Sequence, residues 1–227
     1  MQSLFRLLII TSFLYNHTLA QLYTSCKKPN DILFTFDDVP DSGSNVNKIR
    51  NILNKYSIKG LFFVNGAFIK LYNKEKIMAQ LLSDGHILGS HTFSHASLSK
   101  VNEYKFYSEL FFNDYLFKEL WNIKPKYFRP PYFDYNSEML LKFTSLGYKL
   151  ITADLNPQDW YLKNGTAIFE YIQNQIDIIE NKILLLHAQV DESVIVLERI
   201  IKFIKIKGYN IVSPSECFQE ESYSSIY

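Results

Sequence analysis

The residues best equipped for chemistry are His91 and His95, in the run His91-Thr92-Phe93-Ser94-His95. One helical turn between them would face both imidazoles the same way, so that two ring nitrogens could ligate one divalent metal. A third ligand must come from elsewhere in the chain. The candidates are Asp37 and Asp38, two adjacent carboxylates directly after the apolar run 32–36. Such a run reads as a buried strand that ends at the acids. The outcome is a His, His, carboxylate set, the donor chemistry of a zinc-type site.

Alternating elements are needed to bring these residues together. Residues 46–56 place Val46, Ile49, Ile52 and Leu53 at a helical period, and 60–64 is a second strand-like apolar run. Residues 69–83 read as a helix closed by Asp84-Gly85, and 86–90, with His86 as a strand residue, feeds His91. An aromatic-rich helix over 101–121 stops before Pro125. Tyr127-Phe128-Arg129 is then a short strand that Pro130-Pro131 cannot continue. A helix over 136–146, a strand over 148–153 and a loop over 156–160 follow. Next come a helix over 167–180, the apolar strand 183–186 running into His187, a helix over 193–207 and a last strand over 209–212. About seven strands alternating with helices predict an α/β fold in a single domain. A parallel sheet so built is either a barrel or a doubly wound open sheet, and a distorted (β/α) barrel is the preferred reading. Barrel chemistry collects at the C-terminal rim of the strands, and Asp37, Asp38, His91, His95, Arg129, Asp159 and His187 all fall there.

The chain has 227 residues, 47% hydrophobic and 21% charged, which suits one domain with its own core. A formal net charge of +1 leaves no electrostatic footprint for nucleic acid or an acidic membrane surface, and favours a neutral partner. The 18 Phe and 16 Tyr are read as core packing. Residues 1–20 carry Arg6, an apolar run over 7–15 and small residues Thr18 and Ala20, the arrangement of a cleaved secretory signal. The apolar run is too short to span a bilayer comfortably, so the mature domain is 21–227 with no membrane span, secreted to the extracellular space or cell wall. In that oxidising setting Cys26 and Cys217 are expected to form a disulfide, and Asn164-Gly165-Thr166 is an N-glycosylation sequon that must lie on the surface if used.

Five motifs then stand in order: TFDD at 35–38, HTFSH at 91–95, RPPY at 129–132, QDW at 158–160 and LLH at 185–187. Together they resemble the signature motifs of the polysaccharide deacetylase family, the NodB-homology domain of carbohydrate esterase family four. The resemblance spans nearly all of the mature chain. It implies a distorted β/α barrel and metal-dependent removal of N-acetyl groups from chitin or a chitin-like or peptidoglycan-like polymer. Residue by residue it implies Asp38, His91 and His95 as ligands of one divalent metal, zinc by preference with cobalt or manganese as alternatives. Asp37 would be the general base oriented by Arg129, and His187 the general acid supported by Asp159. Tyr132 would offer a backbone N–H to the oxyanion, with Trp160 and Leu185 as walls of the acetyl pocket.

Four positions depart from the family pattern: Val39 and Phe133 where glycine is usual, Asn156 where aspartate is usual, and Ala188 where an acid follows the histidine. Val39 matters most at this level, because a β-branched residue resists the positive φ open to glycine and a shifted loop would displace Asp38. Two functions follow as expectations. One is a secreted, monomeric, metal-dependent deacetylase of N-acetylglucosamine polymers. The other is a catalytically weak or inactive member that binds wall polysaccharide or serves as a structural wall protein.

Overall fold

Alternation along the strands decides which side chains face the site. The computed structural model describes residues 21–179 and 182–220; the expected signal segment 1–20 lies outside them. A two-residue strand, Leu22–Tyr23 (β1), leads to the central strand Asp31–Val39 (β2). Successive strand residues point to opposite faces. In β2, Ile32, Phe34 and Phe36 join the large apolar cluster beneath the helices, while Leu33 joins a second cluster on the concave side of the sheet.

The chain continues through helix Asn45–Lys55 (α1), strand Leu61–Val64 (β3), helices Gly66–Tyr72 (α2) and Glu75–Ser83 (α3) and strand Ile87–Ser90 (β4). Helix Glu103–Trp121 (α4), strand Tyr127–Phe128 (β5), helix Ser137–Ser145 (α5) and strand Lys149–Ile151 (β6) come next. Helices Asp159–Leu162 (α6) and Gly165–Gln175 (α7), strand Lys182–His187 (β7), helix Asp191–Ile206 (α8), strand Asn210–Ile211 (β8) and helix Pro214–Phe218 (α9) complete it. All strand pairs are parallel, in the order β1-β6-β5-β4-β3-β2-β7, with β8 beside the start of β2. Beyond β6 a bridge from Leu155 to Leu184 joins the chain to the far edge strand β7. The sheet is therefore curled into a distorted barrel in one domain, as the sequence predicts, and closed at that point by a bridge rather than a full ladder.

Each strand residue of the inner cluster has an odd number. Leu33, Leu61, Phe63, Tyr127, Ile151 and Ile183 share the inner cluster, and Ile87 packs against it. Carrying that parity to the strand ends delivers Asp37, His91, Arg129 and His187 to the inner face of the rim. Gly89 keeps the interior open for one ring, since a Cβ there would stand 2.8 Å from Phe63 Cδ1. Phe63 in turn lies under the Arg129 guanidinium, 4.3 Å from ring centroid to Cζ. The opposite end of the interior is tied by the Cys26–Cys217 disulfide, with a Cα–Cα distance of 4.5 Å across 191 residues of sequence.

Several expectations are corrected. The helix over 69–83 is two helices, because Asn73 takes a left-handed φ of 54°, which asparagine tolerates. β1 has no counterpart among the expected strands; its two residues pair with Leu150 and Ile151, a tertiary effect with no local signal. The helix expected over 167–180 is α7, which ends at Gln175. His86 lies before β4 and not within it: its buried Nδ1 accepts the Gly60 N–H at 3.1 Å, and burial, with Lys59 nearby, pulls its pKa down to about 4. The phenylalanine surplus is largely core, with Phe34, Phe36, Phe62, Phe63, Phe117, Phe128, Phe143 and Phe218 all buried, whereas Tyr104, Tyr115, Tyr132 and Tyr161 are exposed.

Candidate active site and metal centre

Two adjacent aspartates on a regular strand would face opposite sides of the sheet, yet Asp37 and Asp38 line the same cleft. The cause is an irregularity: the register of β2 against β3 shifts between Phe36 and Val39, and Asp38 takes φ 57°. A bulge re-aims a side chain in this way. β2 therefore runs through both acids instead of ending before them. The positive φ feared for Val39 falls one residue earlier, on an aspartate, and Val39 is a buried strand residue.

The histidine pair is also brought together without the expected helical turn. Residues 91–95 form a loop off β4 in which Thr92 and His95 have φ 64° and 61°. His91 Nε2 and His95 Nε2 lie 3.7 and 3.1 Å from Asp38 Oδ1. Among the described residues, Asp38, His91 and His95 are the group of His, Cys, Asp and Glu whose ligand atoms all lie within 4.8 Å of one another.

The donor set fits a divalent metal. Asp38 Oδ1 is buried and lacks a hydrogen bond of sound geometry, despite the short distance to His95. His91 Nδ1 is 2.6 Å from the Arg129 carbonyl, which can only accept, so the proton sits on Nδ1 and the Nε2 lone pair faces the acids. His95 Nδ1 is 3.2 Å from the Tyr132 hydroxyl, the same outer support. Burial pushes the Asp38 carboxyl up, but His95 alongside Oδ1 and the attraction of the surrounding imidazoles outweigh it and hold the pKa at about 2. Burial pulls His91 down against the opposing pull of Asp37 and Asp38, which keeps it neutral as a ligand must be.

Asp37, 4% exposed, is tied to Arg129 Nη1 at 2.7 Å through Oδ1. The guanidinium is wholly buried and makes four hydrogen bonds: Nη1 also donates to Thr35 Oγ1, Nε to the Ile151 carbonyl and Nη2 to the Thr152 carbonyl. On the facing strand Asp37 is in register with His187. His187 Nδ1 is 2.7 Å from Asp159 Oδ1, while the His187 N–H donates to Oδ2 at 2.7 Å. The buried Ser193 hydroxyl and the Trp160 N–H donate to the same carboxylate. Burial works to lower the His187 pKa, but the Asp159 hydrogen bond and charge, then Asp37 and Asp38, raise it overall.

These groups surround a cleft of about 410 Å³, in the range of small-ligand pockets. Tyr132, Trp160 and Leu185 all line it, so each expected pocket residue is at the cleft. Phe133 lines it too, with φ 52°, and is the departure from glycine that the backbone feels. Asn156 Oδ1 accepts the Gln158 N–H at 2.9 Å, a turn bond an aspartate would make equally, and Ala188 acts through its backbone, donating to the Asp37 carbonyl. Asn164 is exposed, and its Oδ1 caps α7 by accepting the Ala167 N–H. Supports that sequence reasoning missed are Thr35, Asn65, Glu109 and Ser193. Thr35 stands in phase with Asp37 and could have been found by parity; the others carry no local signal.

Residues 24–151 match the family described as polysaccharide deacetylase, over half of the chain. A chitin deacetylase of Pestalotiopsis is 29% identical over 205 residues, spanning 88% of this chain and 68% of that protein. A peptidoglycan-N-acetylglucosamine deacetylase of Bacillus cereus is 26% identical over 216 residues, spanning 92% and 76%. The solved chitin deacetylase of the fungal pathogen Colletotrichum lindemuthianum has the same fold, with TM-score 0.85 at 23% identity over 92% of this chain and 96% of that one.

Proposed function

Starting from a chain that belongs to the polysaccharide deacetylase family, carbohydrate esterase family four, we propose a secreted, monomeric, metal-dependent hydrolase that removes N-acetyl groups from N-acetylglucosamine polymers, chitin or a related wall polysaccharide. The observation that carries this reading is the convergence of a buried Asp–Arg pair, a His–His–Asp cluster and an Asp–His pair on one cleft. Asp38, His91 and His95 would hold the ion, zinc by donor preference with cobalt or manganese as alternatives. Such an ion supplies Lewis acidity, polarising a carbonyl and making water acidic enough to ionise near neutral pH.

Asp37 accepts the proton of the attacking water and is kept in place by Arg129. The Tyr132 N–H meets the developing oxyanion, an interaction worth about 3 kcal/mol where such donors have been removed elsewhere. His187, charged through Asp159, donates a proton to the leaving amine. Trp160 and Leu185 enclose the acetyl methyl. Removal of segment 1–20, residence outside the cell or in its wall, and glycosylation at Asn164 complete the proposal. The disulfide and an exposed Asn164 support it, and no helix among the described residues is long and apolar enough to cross a membrane.

The test is acetate release from chitin oligomers and from peptidoglycan, with and without added Zn²⁺ or Co²⁺. Metal-stimulated release from either polymer supports the proposal. Polymer binding without release, at full metal occupancy, would favour the non-catalytic wall-binding reading.

A further inference from the structure

We propose that Glu109 is a positioning residue for the metal site: from α4 it holds the 91–95 loop in the one arrangement that turns both imidazole Nε2 atoms onto Asp38. The inference rests on the metal reading above.

The loop does not hold itself. Thr92 and His95 sit at positive φ, a conformation that residues with a Cβ avoid, and no helical ladder runs through 91–95 to satisfy the backbone. The partners come from neighbouring elements, and Glu109 supplies three. Its carbonyl accepts the Phe93 N–H at 2.9 Å, Oε2 accepts the Ser94 N–H at 2.7 Å and Oε1 accepts the Ser94 hydroxyl at 2.6 Å. Ser94 directly precedes His95, so this carboxylate fixes the peptide from which the second imidazole is hung.

A glutamate 1% exposed is rare unless paired, and Lys105, one turn back on α4, places Nζ 2.6 Å from Oε1. Burial pushes the Glu109 carboxyl up, but Lys105 and the Ser94 donors outweigh it, so the acceptor is an anion at neutral pH. The other end of the loop is held differently. Asn65 donates its side-chain amide to the His91 carbonyl, and Asn113 ties Ser90 Oγ to the Val64 carbonyl. His91 is therefore anchored by the strand end and by Arg129, whereas the backbone leading into His95 is held by the clamp from α4 and its ring is met by the Tyr132 hydroxyl.

Full-length, disulfide-intact, zinc-loaded protein would be titrated with a chelating competitor to obtain the zinc Kd, with far-UV circular dichroism and the visible spectrum of the Co²⁺-substituted form recorded alongside. Glu109→Gln should weaken zinc about 10- to 100-fold with the circular dichroism unchanged, the range for lost outer-shell partners, and should alter the Co²⁺ spectrum. Ser94→Ala should weaken zinc in the same direction, and Ser94→Thr, which restores the hydroxyl, should return Kd towards wild type. A folded Glu109→Gln protein with wild-type Kd and an unmoved Co²⁺ spectrum would overturn the proposal. If Glu109→Gln does not fold, an unchanged Kd in Ser94→Ala overturns it instead. A wild-type chain that binds no zinc defeats the metal reading, and this inference with it; variants that bind as tightly as a zinc-binding wild type defeat this inference alone.

Discussion

Replacing Arg129 by methionine should destabilise the fold by about 5–7 kcal/mol. The side chain is fully buried and donates to Asp37, Thr35 and the carbonyls of Ile151 and Thr152. Methionine occupies similar space and donates nothing. It strands the Asp37 carboxylate in a site 4% exposed, and breaking a buried ion pair on one side costs about 3–5 kcal/mol. Each carbonyl left without its donor adds about 1 kcal/mol. Arg129→Lys keeps the charge but loses the planar fork, so it should cost about 2 kcal/mol, the bonds to Ile151 and Thr152. Adding Asp37→Asn to Arg129→Met removes the stranded charge, and the double variant should be about 2 kcal/mol more stable than Arg129→Met alone. Urea unfolding followed by circular dichroism, with the disulfide intact, gives each value by linear extrapolation. A loss below about 1 kcal/mol for Arg129→Met, or a double variant destabilised by the sum of its parts, would refute the assignment of Arg129 as the counter-ion of Asp37.

Asp159→Asn should move the basic limb of the pH–activity profile, which is set by His187 losing its proton, towards acid, because the carboxylate that outweighs burial and raises the His187 pKa is gone. The same pair should stabilise the fold fully below about pH 6.5, the unfolded value, and lose that contribution as pH rises through the higher folded value; an unmoved limb and an unmoved stability profile would contradict both. Reducing Cys26–Cys217 should cost about 5 kcal/mol in the chain-entropy treatment of so long a loop, read from urea midpoints with and without reductant. Phe133→Gly should be more stable than Phe133→Ala by about 1 kcal/mol, since both lose the ring and glycine alone relieves φ 52°. Val39→Gly should instead lose about 2 kcal/mol or more, as a buried extended valine has no strain to relieve, and parity between those two glycine variants would show the strain to be misplaced.

What could be read from the sequence follows from period two. Once Leu33, Phe63, Tyr127 and Ile183 are placed on one face, counting by twos reaches Asp37, Arg129 and His187 with no further information. His91 follows by the same count from Ile87. Asp38 and His95 break the count, because one depends on a bulge and the other on a loop with two residues at positive φ. Neither device has a composition signal when the residues concerned are Asp, Thr and His rather than Gly. For the same reason the strain expected at Val39 falls one residue earlier, and the strain at Phe133 shows in the sequence only as a departure from glycine. Glu109 and Ser193 were invisible because each lies on a helix whose pattern accounts for it as an ordinary polar residue. Only the tertiary arrangement brings them to Ser94 and Asp159.

The most direct test of the central claim measures zinc content and acetate release together in the wild type and in Asp37→Asn. Metal held by Asp38, His91 and His95, with proton removal by Asp37, predicts about one zinc per chain in both proteins. It also predicts acetate release lower by about 10²- to 10⁴-fold in the variant, the span of general-base contributions. Equal release from both proteins, or release by a wild type that carries no metal, would contradict it.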